Sequence, residues 1–129
     1  MKKYAVPLAL TTLLLFLLGF GWGVYIFLEK SANEFLASTQ EILSPLKQEE
    51  WEKSVESFAQ VEKNWLKISK YWPMLINHQE MDRIEESIAK LKGYLENKDK
   101  TEAQAELHVL LHYIRHIPKK EAVNLQNIF

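Results

Sequence analysis

The chain contains no cysteine. That absence excludes disulfides, thiolate nucleophiles, cysteine-ligated zinc and an acylated lipoprotein cysteine, and it leaves the redox compartment open. It also lacks any excess of positive charge. Lysine and arginine total 16, aspartate and glutamate 17, and the formal net charge is −1. Without a basic field, nucleic acid is not an expected partner. No window alternates apolar and polar residues with period two, so no strands are expected. Nucleophile elbow, phosphate loop, dinucleotide-binding glycines and zincin motif are all missing, so the chain reads as a non-enzyme without a cofactor. Its 129 residues suit one domain better than two.

Charged residues make up 26% of the chain, yet none lies between Tyr4 and Leu28. The run "AVPLALTTLLLFLLGFGWGVYIFL" spans residues 5–28 and is 24 residues long. A membrane-spanning helix needs about 20 apolar residues. Pro7 falls in the first turn, where its missing N–H is harmless. Tyr4 and Tyr25 would be ~31 Å apart along such a helix, and Trp22 and Tyr25 suit the outer interface. A cleaved signal peptide is the rival reading. Its apolar region should be shorter, and the small-residue site at Ala32 has Lys30 two residues before it. An uncleaved anchor is therefore expected.

Lys2, Lys3 and the amino terminus outweigh the Glu29–Lys30 flank in positive charge. This places residues 1–4 in the cytoplasm, 5–28 in the cell membrane and 29–129 outside it. Within the span, Gly19 and Gly23 form a GxxxG pair. They are either a face where another helix approaches closely or a pair of the kind that apolar helices contain by chance. The packing reading makes them partner-binding residues, for a different membrane protein or for a second copy of the chain.

The remainder reads as helices with apolar seams. "SANEFLASTQEIL" starts a helix capped by Ser31 with Glu34, or else continues the membrane helix, and Ser44-Pro45 marks a break. A second helix is expected from about Lys47 to Tyr71, with Trp51, Val55, Phe58, Trp65 and Trp72 on its seam and Glu62 interrupting it. Asn77 caps a third, with Glu80 completing a capping box and Met81, Ile84, Ile88, Leu91 and Leu95 as the seam. Asp99 or Thr101 caps the last. Its stripe is Ala103, Leu107, Leu110, Ile114 and Ile117, and Pro118 is expected to stop it. The fold class is all-α: a transmembrane helix, then an antiparallel bundle of three to four helices.

"HVLLHYIRH" places His108, His112 and His116 at four-residue intervals. With Leu107 at 0° on a helical wheel, the apolar stripe centres near about 320° and the histidines fall at about 100°, 140° and 180°. They face solvent. His108 and His116 are ~12 Å apart along the axis, too far to share one ion. His108 and His112 remain the weak candidates for a metal. The corresponding alternative function is an extracytoplasmic pH or metal sensor. His78, beside Glu80, Asp82 and Glu85, is read as part of an acidic first turn rather than as an acid–base group.

Several short features together resemble the family called domain of unknown function 4363, over essentially the whole chain. They are the apolar N-terminal segment, the tryptophan-bearing helix, and the helix start His78, Glu80, Asp82 in "HQEMDRIEESIAKLKGYL". Glu106-Leu107 in the last helix and the ending Asn127-Ile128-Phe129 complete the set. His108 and His112 are not part of that pattern. The resemblance implies a small single-pass membrane protein of endospore-forming Firmicutes, with a setting in sporulation and a spore membrane as an alternative location. Such proteins are often encoded beside a multi-pass membrane protein of another uncharacterised family, numbered 421. An accessory subunit of that protein is the implied role.

The C-terminal "AVNLQNIF" carries Val123, Leu125, Ile128 and Phe129. Each gains ~1.5–3 kcal/mol on full burial, so the tail is expected to fold back onto the bundle or to dock on a partner. The lipid bilayer and a multi-pass membrane protein are the expected partners. Leu125, Ile128 and Phe129 join Gly19 and Gly23 as candidate contact residues.

Overall fold

The computed structural model describes the backbone of residues 2–128 and the side chains of residues 3–120. Among the described residues every regular element is helical. They are α1 (Lys2–Gln40), α2 (Leu43–Lys47), α3 (Trp51–Ile68), α4 (His78–Glu96) and α5 (Lys100–Ile128), with a 3-10 turn at Trp72–Met74. Helix α1 packs on α3 and α5, and α4 packs on the same two. The four long helices therefore close a ring in which each is antiparallel to the next. The short α2 lies across one end, against α3 and α5. The expected all-α bundle behind an apolar helix is the observed fold.

Helix α1 is continuous from the apolar run into the bundle. Ser31 does not cap a new helix. Its hydroxyl donates to the Leu28 carbonyl at 3.0 Å, inside α1. Leu28, Ala32, Phe35 and Thr39 are buried at three- and four-residue steps, so one face of the last third of α1 enters the core. In the apolar run, Thr11 and Thr12 donate to the Pro7 and Leu8 carbonyls at 2.9 Å. That leaves neither hydroxyl without a partner. The chain breaks at Glu41–Ile42 rather than at Ser44-Pro45. Pro45 lies in the first turn of α2, where no N–H is needed.

Helix α3 is shorter than expected and rotated. Its buried stripe is Ser54, Phe58, Val61 and Trp65, whereas Val55 is 47% exposed. An apolar-only seam misplaced the face because Ser54 belongs to it. That serine donates to the Glu50 carbonyl at 3.0 Å and so enters the core with its polar group satisfied. Glu62, outside the stripe, meets Lys92 of α4 at 3.2 Å. The seams of α4 and α5 are buried as read, with Leu111 added to the latter.

Asn77 accepts from the Gln79 N–H at 2.9 Å and caps α4. Asp99 accepts from the Glu102 N–H at 3.1 Å and caps α5. Pro118 does not stop α5, which continues to Ile128. Proline forfeits one backbone bond, to the Ile114 carbonyl. The helix is held across that gap by buried Ile114 and Ile117 and by a Lys120 contact to α4.

At the end of the bundle remote from the apolar run, α2 and α4 terminate alike. The Glu49 N–H donates to the Leu46 carbonyl at 3.2 Å and the Glu50 N–H to the Pro45 carbonyl at 2.9 Å. Lys98 and Asp99 repeat the pattern on Leu95 and Tyr94 at 3.2 and 2.9 Å. This double hydrogen bond needs a left-handed residue, usually glycine. Here Glu49 (φ 57°) and Lys98 (φ 53°) supply it. Lys100 reaches Glu49 at 3.6 Å and joins the two loops.

At the other end, three rings lock α1 to the α3–α4 connection. Phe35 lies 5.6 Å from Trp65 and 6.3 Å from Trp72 between ring centroids, and the two tryptophans are 6.0 Å apart. The Trp72 indole N–H donates to the Ser31 hydroxyl at 2.9 Å. Both partners are buried. The bond spans 41 residues of sequence and fixes the direction in which α1 leaves the bundle. Replacing Trp72 by Phe and Ser31 by Ala, singly and together, should give a coupling free energy of about 1 kcal/mol in urea unfolding. Strictly additive losses would show that the indole bond contributes nothing.

Candidate functional site

Gly19 and Gly23 lie on an exposed face of α1. A Cβ built on either, or on Gly21, would meet nothing within 4 Å. Glycine inside a helix is unfavourable by ~0.5–1 kcal/mol relative to alanine. Nothing within the described chain therefore requires these residues to be glycine. Gly23 opens onto an apolar recess of about 360 Å³ whose other walls include Phe20, Phe27, Tyr71, Met74 and Leu75. The glycine face of α1 thus continues into the α3–α4 turn.

The histidines project outward, as the wheel predicts. His108, His112 and His116 are all exposed. The His112 and His116 rings stack at 5.8 Å between centroids. No cluster of three or more potential metal ligands forms among the described residues. His112 thus neighbours His116 as well as standing one turn from His108.

The acidic start of α4 is organised around a contact that spacing did not reveal. Glu80 is only 7% exposed. It does not reach back to the cap, as a capping box would require. Its carboxylate accepts from the Lys120 ammonium at 2.7 Å, and Arg83 lies at 3.8 Å. The Lys120 hydrogen bond holds the Glu80 carboxyl below its ordinary value against the opposing effect of burial, with further help from the charges of Lys120, Arg83 and His116. A helix thought to end at Pro118 would not have delivered Lys120 to this place. The partner was invisible for that reason. His78 is exposed at the helix start, and the carboxylate nearest it in the sequence pattern, Glu80, is engaged with α5.

The expected tail contacts, Leu125, Ile128 and Phe129, lie outside the described residues at side-chain level.

The family model described as Domain of unknown function (DUF4363) covers residues 22–128. It begins at Trp22, inside the apolar run, and so leaves the first 21 residues of the chain outside the match. No curated protein and no solved structure matches the chain.

The Glu80–Lys120 pair has a pH consequence of definite sign. A carboxyl held lower in the folded than in the unfolded chain contributes stability that is complete above its unfolded value and is lost as pH falls through the folded one. Urea unfolding from neutral pH to below 4.5, the ordinary value for this group, should therefore show an acid-side loss of stability. The loss should be smaller in Glu80→Gln. Identical acid-side slopes in the two proteins would show that the pair does not contribute.

Proposed function

The chain belongs to the DUF4363 family, and from that premise we propose that it is a non-enzymatic, single-pass membrane protein acting as an accessory subunit of a multi-pass membrane protein. In this reading the residues before the apolar run are cytoplasmic and the bundle is extracytoplasmic. The observation that carries it is the exposure of α1. Its most apolar 18-residue window has a mean hydropathy of 2.0, and none of it is buried by the rest of the chain. Leucine and phenylalanine side chains such as Leu13, Leu15, Phe16 and Phe20 stand exposed along it. Each gains ~1.5–3 kcal/mol on leaving water, so this surface requires another medium. A bilayer is that medium.

Within lipid, neighbouring helices gain little from hydrophobicity and associate through close packing at small residues. The open space over Gly19 and Gly23 supports a partner helix seated there. A second copy of the chain is the competing occupant. Purification of a tagged Gly19→Ile, Gly23→Ile chain from gently solubilised native membranes should recover much less of the co-purifying multi-pass protein than the unaltered chain does. Equal recovery would remove the glycine face from the proposal.

A further inference from the structure

The α3–α4 connection lies alongside the apolar run of α1, not beyond its end. The Tyr71 ring meets the Phe27 ring edge-on at 6.3 Å. Met74 and Leu75 share a recess with Phe20 and Gly23. Phe20 precedes Leu28, the last residue of the uncharged run, by eight positions, or ~12 Å of helix. The bundle therefore overlaps the final turns of the segment that requires lipid.

The turn is built for such a place. Trp72 points inward and is fully buried, which drives its neighbours outward. Met74 is 76% exposed and Tyr71 50% exposed. Leu66, one α3 turn earlier, is exposed as well. Within the α3–α4 segment the charge has one sign, while on α1 Lys30 and Glu34 share a recess with Lys67 and Tyr71. From Lys63 through Gln79 the chain carries Lys63, Lys67 and Lys70 and no carboxylate. An apolar tip with a lysine collar is the pattern that seats a segment ~5–10 Å into the boundary between headgroups and acyl chains, with added attraction to anionic lipid.

Length supports the same depth. The uncharged run of 24 residues measures ~36 Å as a helix, against ~30 Å of hydrocarbon. With Tyr4 and Tyr25, ~31 Å apart, at the two interfaces, residues 26–28 lie in the interfacial layer, and Phe27 there meets Tyr71 of the turn.

From these observations we infer that the Tyr71–Leu75 turn is a second membrane-contact site. It inserts Tyr71 and Met74 into the interface of an anionic bilayer next to α1 and seats the bundle directly on the lipid surface. Continuity with the exposed apolar surface of α1 and the lysine collar together favour lipid over a protein occupant. The inference rests on the reading of α1 as membrane-spanning.

Because the chain has no cysteine, single labels are clean. Full-length Met74→Cys, Leu14→Cys and His108→Cys proteins, each carrying an environment-sensitive fluorophore, would be reconstituted in phosphatidylcholine vesicles with and without phosphatidylglycerol. Quenching by brominated lipid and by aqueous iodide would be compared. The label at Met74 should emit to the blue, be quenched by brominated lipid and resist iodide, with stronger lipid quenching when phosphatidylglycerol is present. His108 should behave oppositely, and Leu14 should respond to brominated lipid alone. If Leu14 is lipid-quenched while Met74 behaves like His108, the turn is not a membrane site although α1 spans. Protection of Met74 from both quenchers would place a protein there and overturn the inference. Equal lipid quenching with and without phosphatidylglycerol would remove the anionic preference. Absence of lipid quenching at Leu14 would overturn the spanning reading itself.

Discussion

One uninterrupted helix has to satisfy two environments, and the rest of the fold follows from that constraint. The first two-thirds of α1 are apolar on every side. The last third carries a buried stripe on one side and polar residues on the other, with no break between the two parts. An apolar rod and a bundle helix that share one axis cannot tilt independently. The depth and orientation of the bundle relative to the apolar run are therefore set by the side chains that hold the last third of α1 in the ring.

Those side chains are few and mostly aromatic. Phe35, Trp65 and Trp72 form the packed knot, and the Trp72 indole bond to Ser31 gives it a direction. A buried indole N–H left without an acceptor would be costly, so the bond selects one docking geometry in addition to contributing energy. Burying Trp72 turns Tyr71 and Met74 outward. The core and the exposed apolar tip are two consequences of the same residue. At the opposite end, the paired left-handed residues terminate α2 and α4, and the Lys100–Glu49 contact joins their two loops.

Much of this was legible in the residues. The apolar run, the all-helical class, the seams of α4 and α5, the Asn77 cap and the outward histidines follow from periodicity and capping chemistry that are local in sequence. The departures share a physical cause. Ser54 is buried because its hydroxyl finds a carbonyl four residues back, so polarity alone misplaced the α3 face. Pro118 continues a helix because tertiary contacts on both sides of it outweigh one lost backbone bond, and Lys120 is carried to Glu80 as a result. Glu49 and Lys98 occupy positions where glycine would have announced a helix end. The recess beside Gly23 joins residues some fifty positions apart and has no local signature. Local chemistry predicted the elements, whereas long-range contacts decided which residues could break the local rules.

The continuity of α1 is the claim on which the account turns, and a distance measures it directly. Leu15 and Asn33 are both exposed and lie eighteen residues apart, one before and one after the end of the apolar run. Eighteen residues make five full turns, so the two positions share a face and are separated by ~27 Å in an unbroken helix. Spin labels on Leu15→Cys and Asn33→Cys, read by pulsed dipolar spectroscopy in reconstituted full-length protein, should give one narrow distribution centred near that separation. A broad distribution, or one centred well below it, would mean that the apolar run and the bundle are joined by a hinge, and the orientation of the bundle relative to the apolar run would not be fixed.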